Sequence, residues 1–382
     1  MRKICVVVAS RANYGRVKPV LKAIKQHDKL QLQLIVGASM LLDRYGKAVE
    51  VVEADGFKPD KKIYYMLEGE SLATQAKSTA LGIIELSTAF EELQPDIVIT
   101  VADRFETMAT AIAASYLNIP LAHIQGGEIT GNIDETVRHA ITKLAHYHFP
   151  STELSRQRLI KMGEEEWRIL NSGCPSIDTL AEQDLSLDEE CRKYLGTGVG
   201  SKIDIQKPYI LMIQHPVTTE LKDGYEQVMA TLETLQYFPE QKLVLWPNID
   251  AGSDRVSKGL RVFREQHRAL PYRYYKNFPP EIYNKLLANA ACAVGNSSSF
   301  IREASWLGTP TVIVGNRQEG REHGKNAMYV ENKAEAIHEA VEKQLLHGKY
   351  ESEPIFGNGN AGCLIADYLA DVKLDINKRM TY

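Results

Sequence analysis

The chain has 382 residues, and this length favours two domains because it exceeds the usual size of a single hydrophobic core. A formal net charge of −4, a pI near 6.2 and the lack of any basic run with interleaved aromatic residues exclude a nucleic-acid partner. No apolar run is long enough to cross a bilayer, so no membrane partner is expected.

The five cysteines are odd in number and form no C-x-x-C pair. A disulfide framework or a cysteine zinc site is therefore not expected, and a cytoplasmic location is predicted. Three histidines, His139, His146 and His148, are spread over a helix and the following strand without a carboxylate at ligand spacing. The sequence predicts neither a metal ion nor a cofactor.

Short β-branched runs alternate with longer helical stretches through the first half of the chain. The predicted strands are 4–8, 33–36, 97–101, 121–124 and 147–149. The predicted helices begin near Gly15, Asp43, Ser71, Phe105 and Ile133. Runs 97–101 and 312–314 are continuously apolar, which is typical of parallel strands that helices cover on both faces.

The alternation weakens in the polar, glycine-rich stretch between about 176 and 207 and restarts at 209–213. Further strands are predicted near 242–246, 273–275, 291–294 and 311–314. The pattern predicts two doubly wound α/β domains, the first spanning 1–172 and the second 173–360. Ligands of such sheets bind at the carboxyl ends of the strands, so we expect the site there, in a cleft shared by the domains.

Three polar loops follow strands of the first domain. Run 10–15 contains Arg11, which could clamp an anion, and lacks the G-x-G-x-x-G of dinucleotide folds. Asp103 and Arg104 follow run 97–101, where they form either a site or a surface ion pair with a helix cap. The third loop is rich in glycine and carries the polar residues Gln125, Glu128 and Asp134, with Arg138 on the following helix.

The second domain offers a comparable set of loops. His215 follows a strand and could donate to a phosphate or transfer a proton, although a lone histidine is more often structural. Asn248 follows the next strand, and Phe278 could stack on a base or belong to the core. The glycine-rich run 196–202 has the wrong spacing for a phosphate loop and follows helix-like residues.

A Gly-Asn-Ser-Ser-Ser turn between a strand and a helix is the strongest candidate for a phosphate site. Glycine permits a tight turn, and the helix would direct its N–H groups and the positive end of its dipole at an anion. Glu303 lies on that helix, and Arg317 follows the next strand. The residues predicted to bind from the turn itself are Gly295, Asn296, Ser297 and Ser298.

Eight motifs together resemble the hydrolysing UDP-N-acetylglucosamine 2-epimerases of sialic-acid synthesis. In chain order they read SRANYG, ADRFE, HIQGGEITGNIDETVRHAITKLAHYHF, GCPSID, QHPVTTE, PNIDAGS, GNSSSFIREA and GNRQEGRE. The resemblance implies two Rossmann-like domains in a glycosyltransferase-B-type arrangement, with the active site in the interdomain cleft. It also implies that residues 361–382 return to the first domain and that UDP is held mainly by the second. We further expect a homo-oligomer, either a dimer or a tetramer.

The implied reaction converts UDP-N-acetylglucosamine and water into N-acetylmannosamine and UDP. The resemblance assigns catalysis to Asp103 and Asp134, with Glu128 in the same motif. It assigns UDP contacts to Arg11, Arg104, His215, Asn248, Ser297, Ser298, Glu303 and Arg317, with Glu303 on the ribose.

Gln125 stands where the family commonly has a glutamate, so another carboxylate must act as base or the substrate differs, as in a UDP-2,4-diacetamido-2,4,6-trideoxy sugar. A non-hydrolysing epimerase, a glycosyltransferase of the same architecture and a silent UDP-sugar sensor stay as alternatives.

Overall fold

The computed structural model describes residues 1–43, 46–69, 71–130, 133–217, 219–248 and 251–381. Packing contacts divide the chain into two compact units. The first contains Met1–Glu128, Asp134–Ala181 and Phe356–Tyr382, and the second contains Ile129–Ile133 and Glu182–Ile355. The domain limits predicted at 172/173 and 360/361 stay predictions.

The first unit is a parallel sheet with helices between its strands. Its strands are β1 (Arg2–Val8), β2 (Leu30–Gly37), β3 (Lys61–Ile63), β4 (Ile97–Val101), β5 (Leu121–Ile124) and β6 (Tyr147–Phe149), in the order β3-β2-β1-β4-β5-β6. Its helices are α1 (Arg11–Gln26), α2 (Val49–Ala54), α3 (Leu72–Leu93), α4 (Phe105–Tyr116), α5 (Ile133–Leu144), α6 (Glu153–Lys161) and α7 (Pro175–Glu182).

The second unit is built in the same way around a seven-stranded sheet. Its strands are β7 (Val199–Gly200), β8 (Tyr209–Ile213), β9 (Gln241–Leu245), β10 (Tyr272–Tyr275), β11 (Cys292–Gly295), β12 (Thr311–Val314) and β13 (Ala327–Val330). The order is β13-β12-β11-β8-β9-β10-β7, and β7 alone runs antiparallel to its neighbour. The helices are α8 (Glu189–Gly196), α9 (Gly224–Leu235), α10 (Ser253–Gln266), α11 (Pro280–Ala288), α12 (Arg302–Leu307), α13 (Ala334–His347) and, returning to the first unit, α14 (Ala361–Asp371).

The central strand β1 separates two hydrophobic cores because successive side chains point to opposite faces. Ile4, Val6 and Val8 join the core that contains residues of α1 and α14, whereas Cys5 and Val7 join the core with residues of α3 and α4. Burying each aliphatic side chain contributes about 1.5–3 kcal/mol. Both faces of the sheet are therefore covered, which explains why such strands read as continuous apolar runs.

Helix α14 belongs to the core of the first unit. Ile365, Ala366 and Leu369 are buried beside residues of β1 and α1. A Cβ at Gly362 would lie 2.8 Å from the backbone of Pro19, so only glycine allows the two helices to approach this closely. The C-terminal part of the chain thus completes the first unit.

Several predicted boundaries were wrong for identifiable reasons. Helix α1 begins at Arg11 instead of near Gly15, because the Ser10 side chain caps it by accepting a bond from the Asn13 N–H at 3.3 Å. The helix predicted near Asp43 is replaced by a 3-10 helix at Ala38–Leu41 and by α2 further on.

Three short edge strands, β3, β7 and β13, were not predicted from the sequence. The glycine-rich run 196–202 contains β7, and a Cβ at Gly200 would overlap the Tyr272 carbonyl oxygen on β10. Glycine at position 200 therefore allows β7 to pair closely with β10. Among the helices in the described part of the chain, none combines the length and apolar character that crossing a membrane requires. The motif residues Gly131, Asn132, Thr218, Ile249 and Asp250 lie outside the described residues.

Candidate functional site

Two neighbouring strands of the first unit end in non-glycine residues with left-handed backbone conformations. Ala102 follows β4 with φ 63°, and Gln125 follows β5 with φ 66°. Each still extends the sheet, because Ala102 N donates to Ile124 O and Gln125 N donates to Phe149 O, both at 2.9 Å. A left-handed conformation costs an L-residue roughly 1–2 kcal/mol, and such strain concentrates at functional sites.

His123 holds the first of these turns from inside the sheet. Its Nε2 lies 2.8 Å from the Ala102 carbonyl oxygen, and its Nδ1 lies 3.3 Å from Thr142 Oγ1. Burial lowers the pKa of His123 to about 3, so the ring is neutral near pH 7. The carbonyl can only accept, so Nε2 carries the proton and fixes the backbone immediately before Asp103.

Arg138 links Asp103 to the glycine-rich loop. Its side chain is fully buried, pairs with the Asp103 carboxylate and donates through Nη1 to the Glu128 backbone oxygen at 2.8 Å. An adjacent guanidinium stabilises the ionised form of a carboxylate. Arg138 therefore has a structural role that the sequence did not reveal, and its predicted substrate contact stays a prediction.

The other predicted residues of the first unit lie at helix starts or in the loop. Arg11 is the first residue of α1 and is partly exposed. Arg104 precedes α4, where its Nε lies 3.2 and 3.3 Å from the carboxylate oxygens of Glu106. Glu128 is buried, whereas Asp134 is partly exposed in the first turn of α5.

Gln125 is fully buried and anchored by a thiol. Its Nε2 donates to Cys174 Sγ at 2.9 Å, and that sulfur lies 3.1 Å from Ser176 Oγ. Gln125 Oε1 has no hydrogen-bond partner within the described chain. Cys174 and Ser176 were not assigned a role from sequence, although both belong to the GCPSID motif. A neutral amide here cannot take a proton from a substrate.

Gly295 ends β11 in a conformation that only glycine tolerates. Its φ is 136°, and a Cβ at this position would overlap the carbonyl oxygen of Ile213 on β8. The sequence predicts a tight turn at this residue. The structure shows that close approach to the adjacent strand is a second reason for glycine.

Asn296 and Asn248 hold His215 from two sides. Asn296 Oδ1 accepts from the His215 N–H at 2.7 Å, and Asn296 Nδ2 donates to the His215 carbonyl at 2.9 Å. The backbone N–H of Asn248 donates to His215 Nδ1 at 3.0 Å. Because Nδ1 accepts, a neutral His215 carries its proton on Nε2 and can donate from that atom to an anion.

The loop after β12 reaches the same turn. Arg317 Nη1 and Gln318 Nε2 donate to the backbone oxygen of Asn296 at 3.4 and 2.9 Å. Arg317 therefore lies beside the Gly-Asn-Ser-Ser-Ser turn, in the predicted position. Gln318 is buried and was missed, because nothing in its sequence context distinguishes it from a solvated residue.

The serines of the turn form a hydroxyl cluster. Ser297 caps a 3-10 helix at Ser298–Phe300, and its Oγ lies 2.8 Å from Ser299 Oγ. Tyr283 Oη lies 2.5 Å from the same Ser299 oxygen. The predicted single helix is instead this 3-10 turn followed by α12, which has six residues, so its dipole is smaller than expected.

The remaining predictions fall on three separate positions. Glu303 is partly exposed in the first turn of α12. Asn248 is exposed and reaches His215 through its backbone, as described above. Phe278 is buried, and its ring centroid lies 4.7 Å from that of Tyr275, which is the environment of a core residue.

Each unit is an α/β sheet of mainly parallel strands, with polar residues at the carboxyl ends of the strands. Nucleotide-binding enzymes have this architecture. Residues 22–370 match the family model described as UDP-N-acetylglucosamine 2-epimerase, and the chain belongs to this family. Membership of the UDP-N-acetylglucosamine 2-epimerase family, predicted from the motifs, is thereby confirmed.

Individual relatives extend this result. The chain is 34% identical over 359 residues to the UDP-N,N'-diacetylbacillosamine 2-epimerase (hydrolyzing) of Legionella pneumophila, covering 94% of this chain and 93% of the relative. It is 29% identical over 360 residues to the UDP-N-acetylglucosamine 2-epimerase of Neisseria meningitidis serogroup B, with coverages of 94% and 92%.

A solved structure has the same fold. The crystal structure of UDP-GlcNAc 2-epimerase from Neisseria meningitidis bound to UDP-GlcNAc matches with a TM-score of 0.80 and 19% identity, covering 96% of this chain and 99% of that one. The predicted fold of two Rossmann-like domains is confirmed.

Proposed function

We propose that the chain is a hydrolysing 2-epimerase that converts a UDP-linked 2-acetamido sugar and water into UDP and the free C2 epimer. The observation that carries this proposal is the 34% identity, over 94% of the chain, to a relative whose name specifies a hydrolysing 2-epimerase. The SRANYG sequence at 10–15 agrees with it, because the non-hydrolysing branch usually has Thr-Arg-Pro-Glu at this place.

The chemistry requires loss of the nucleotide. The C2 hydrogen has no adjacent carbonyl to acidify it, so a base removes this proton while the C1–O bond breaks and its electron pair leaves with UDP. The product is a 2-acetamidoglucal with a C1–C2 double bond. Water then adds its oxygen to C1, and a proton returns to C2 from the opposite face. The site must therefore supply a base, an acid and stabilisation of departing UDP.

In the first unit we assign removal of the C2 proton to Asp134. Asp103 is already paired with Arg138, and the amide of Gln125 cannot accept the proton. Asp134 is partly exposed at the start of α5, which leaves it accessible to a substrate. Glu128 is the remaining carboxylate of the loop and is the candidate for directing water or returning the proton.

In the second unit we assign the diphosphate to the strand-end loops. A neutral His215 would donate from Nε2, and Arg317 would contribute a positive charge. The hydroxyls of Ser297 and Ser298 would add neutral donors, and Glu303 would accept from the ribose. Charge-assisted bonds of this kind stabilise a leaving diphosphate more than neutral ones do.

Two sugars are candidates within this function. Gln125 departs from the glutamate expected for N-acetylglucosamine, and the 34% identical relative is named for UDP-N,N'-diacetylbacillosamine. We therefore propose a UDP-2,4-diacetamido-2,4,6-trideoxy sugar as the preferred substrate. UDP-N-acetylglucosamine is the second candidate, because a relative with 29% identity is named for it.

A product assay in heavy water tests the reaction. The protein is incubated with each UDP-sugar in D₂O, and the products are analysed by mass spectrometry and NMR. We expect UDP and a free C2-epimerised sugar with deuterium at C2. An epimer that remains attached to UDP would indicate a non-hydrolysing enzyme, whereas acceptor-dependent UDP release would indicate a glycosyltransferase. Tight binding without turnover would indicate a sensor.

A competition between the two UDP-sugars tests the substrate assignment. We expect a higher kcat/KM for the 2,4-diacetamido sugar, measured by UDP release from an equimolar mixture. A preference for UDP-N-acetylglucosamine would overturn the assignment of the sugar while leaving the hydrolysing mechanism in place.

A further inference from the structure

We propose that Asn296 is a positioning residue that holds the backbone of His215, so that the His215 ring meets the Asn248 N–H, and that joins the strand-end loops around a nucleoside diphosphate. The inference rests on the proposed function, because it assumes that these loops bind UDP. It changes the role predicted for Asn296, which the sequence analysis placed among the direct ligands. In the structure, the Asn296 amide instead forms hydrogen bonds with the backbone of His215.

The Asn296 side chain pairs with the backbone of His215 through two hydrogen bonds. Its Oδ1 accepts from the His215 N–H at 2.7 Å, and its Nδ2 donates to the His215 carbonyl at 2.9 Å. The backbone groups determine which amide atom is which, since an N–H must donate and a carbonyl must accept. Asn296 is 2% exposed, so the pairing is protected from water.

This pairing continues the sheet beyond the end of β8. Gly295 is paired with Ile213 in the parallel ladder, and Asn296 N donates to Ile213 O at 3.0 Å. The amide then replaces a further strand residue and fixes the backbone two positions later, at His215. A side-chain amide can do this because it offers one donor and one acceptor, as a peptide group does.

The loop after β9, the neighbour of β8 on its other side, fixes the imidazole ring. The N–H of Asn248, after β9, donates to His215 Nδ1 at 3.0 Å. With the backbone held from β11 and the ring held from β9, the neutral ring has its proton on Nε2. From this tautomer His215 can donate through Nε2 to an anionic oxygen.

The backbone oxygen of Asn296 binds a third loop, the one after β12. Arg317 Nη1 and Gln318 Nε2, both after β12, donate to this oxygen at 3.4 and 2.9 Å. One residue therefore connects the loops after β8, β11 and β12, and through His215 the loop after β9. An aspartate would place a carboxylate oxygen against the His215 carbonyl, and an alanine would remove both side-chain bonds.

The arrangement predicts a selective effect on the charged part of the ligand. His215 and Arg317 supply a donor and a positive charge, which suit phosphate oxygens and not the uracil or the sugar. Loss of Asn296 should therefore weaken the binding of UDP more than the binding of uridine. A general loss of folding would weaken the two probes together.

Isothermal titration of UDP and uridine onto Asn296→Ala and Asn296→Asp tests the inference. We expect UDP affinity to fall by at least about tenfold in both variants, the loss of roughly one bond to a charged group, with uridine affinity nearly unchanged. The matched control is Asn326→Ala. Asn326 is 3% exposed and donates from Nδ2 to Thr309 O at 2.7 Å, but it precedes strand β13, whereas Asn296 follows strand β11, so the two residues lie at opposite ends of the parallel strands. This variant should retain UDP affinity.

A second readout follows His215 directly. In ¹⁵N spectra of the imidazole, assigned with His215→Gln, we expect a single Nε2–H tautomer in the wild type and a mixture in Asn296→Asp. If Asn296→Ala does not fold, the isosteric Asn296→Asp provides both measurements. UDP affinity equal to wild type in a folded variant, or an unchanged tautomer, would overturn the positioning role. Failure of the wild-type protein to bind UDP would instead overturn the proposed function.

Discussion

Asp134 is the residue on which the proposed elimination depends. Asp134→Asn keeps the shape of the side chain but removes the proton acceptor. We expect UDP release to fall by about 10²–10⁴-fold, the usual contribution of a general base, while UDP affinity stays close to wild type. Both quantities are measured, by a coupled UDP assay and by isothermal titration.

Glu153→Gln is the matched control for this change, because Glu153 is also an acid in the first turn of a helix of the first unit. It should leave turnover unaltered. Turnover of Asp134→Asn equal to wild type would remove Asp134 from the base role. Glu128→Gln, tested beside it, would then identify the other carboxylate of the loop.

Arg317 is the positive charge next to the serine turn. Arg317→Ala should weaken UDP binding by roughly 1.5–3 kcal/mol, because it removes a charge-assisted bond to the diphosphate. Arg261→Ala, an exposed arginine of α10 in the same unit, controls for the loss of one positive charge. UDP affinity that is the same in Arg317→Ala and Arg261→Ala would place Arg317 outside the diphosphate site.

At the level of elements, the turn after β11 depends on Gly295. Gly295→Ala introduces a Cβ that overlaps the Ile213 carbonyl and a φ of 136° that L-residues rarely adopt. We expect the free energy of unfolding to fall by more than about 1–3 kcal/mol, the cost of such a conformation alone. Urea denaturation followed by circular dichroism measures this change.

Gly15→Ala provides the opposite case on helix α1. A Cβ at Gly15 would meet nothing within 4 Å, so the alanine should stabilise the helix by about 0.5–1 kcal/mol. Equal stabilities of the two variants would show that the close approach of β8 and β11 does not require glycine.

The sequence predicted the central strands well and the edge strands poorly. Strands β4 and β5 have the predicted limits because they are buried, mostly apolar runs between helices, and the buried edge strand β6 is an exception to the contrast. Strands β3 and β7 have three and two residues. At that length no periodicity can develop, and pairing with a neighbour creates the strand.

The site was predictable as a set of loops and not as a network. Polar residues after buried strands indicated where ligands bind, and Arg317 does lie beside Asn296. The pairing of Asn296 with His215 and the burial of Arg138 between two loops depend on contacts between distant residues. Local sequence contains no signal for such contacts, because the same side chains would suit a solvated surface.

Among the described residues of the whole molecule, the buried histidines and carboxylates lie mostly in the first unit. Burial alone would raise the pKa of Glu164, but bonds from His148 Nε2, Lys143 Nζ and Lys378 Nζ at 3.0, 2.7 and 2.5 Å lower it to about 2. Lys378 also donates to three backbone carbonyls near the end of α5. The C-terminal segment is thus fastened to the first unit by charge as well as by the packing of α14.

This distribution predicts that acid destabilises the first unit before the second. Burial holds the pKa of His123 at about 3 and lowers the pKa of His146 to about 4, both below the ordinary value of 6.5. Between the lowered pKa of each histidine and 6.5, the unfolded chain binds more protons than the folded chain. The free energy of unfolding that these histidines contribute above pH 6.5 is therefore lost as the pH falls. For His123 alone the loss between pH 7 and pH 5 is about 2 kcal/mol.

Hydrogen exchange at several pH values, corrected for intrinsic rates, measures this loss separately for peptides of β5 and β8. We expect the protection of β5 to decline with acid and that of β8 to change little. In His123→Gln, whose amide can still donate to the Ala102 carbonyl, the decline for β5 should be shallower by the amount that one histidine contributes. Parallel curves for the variant and the wild type would show that His123 does not carry the acid sensitivity of the first unit.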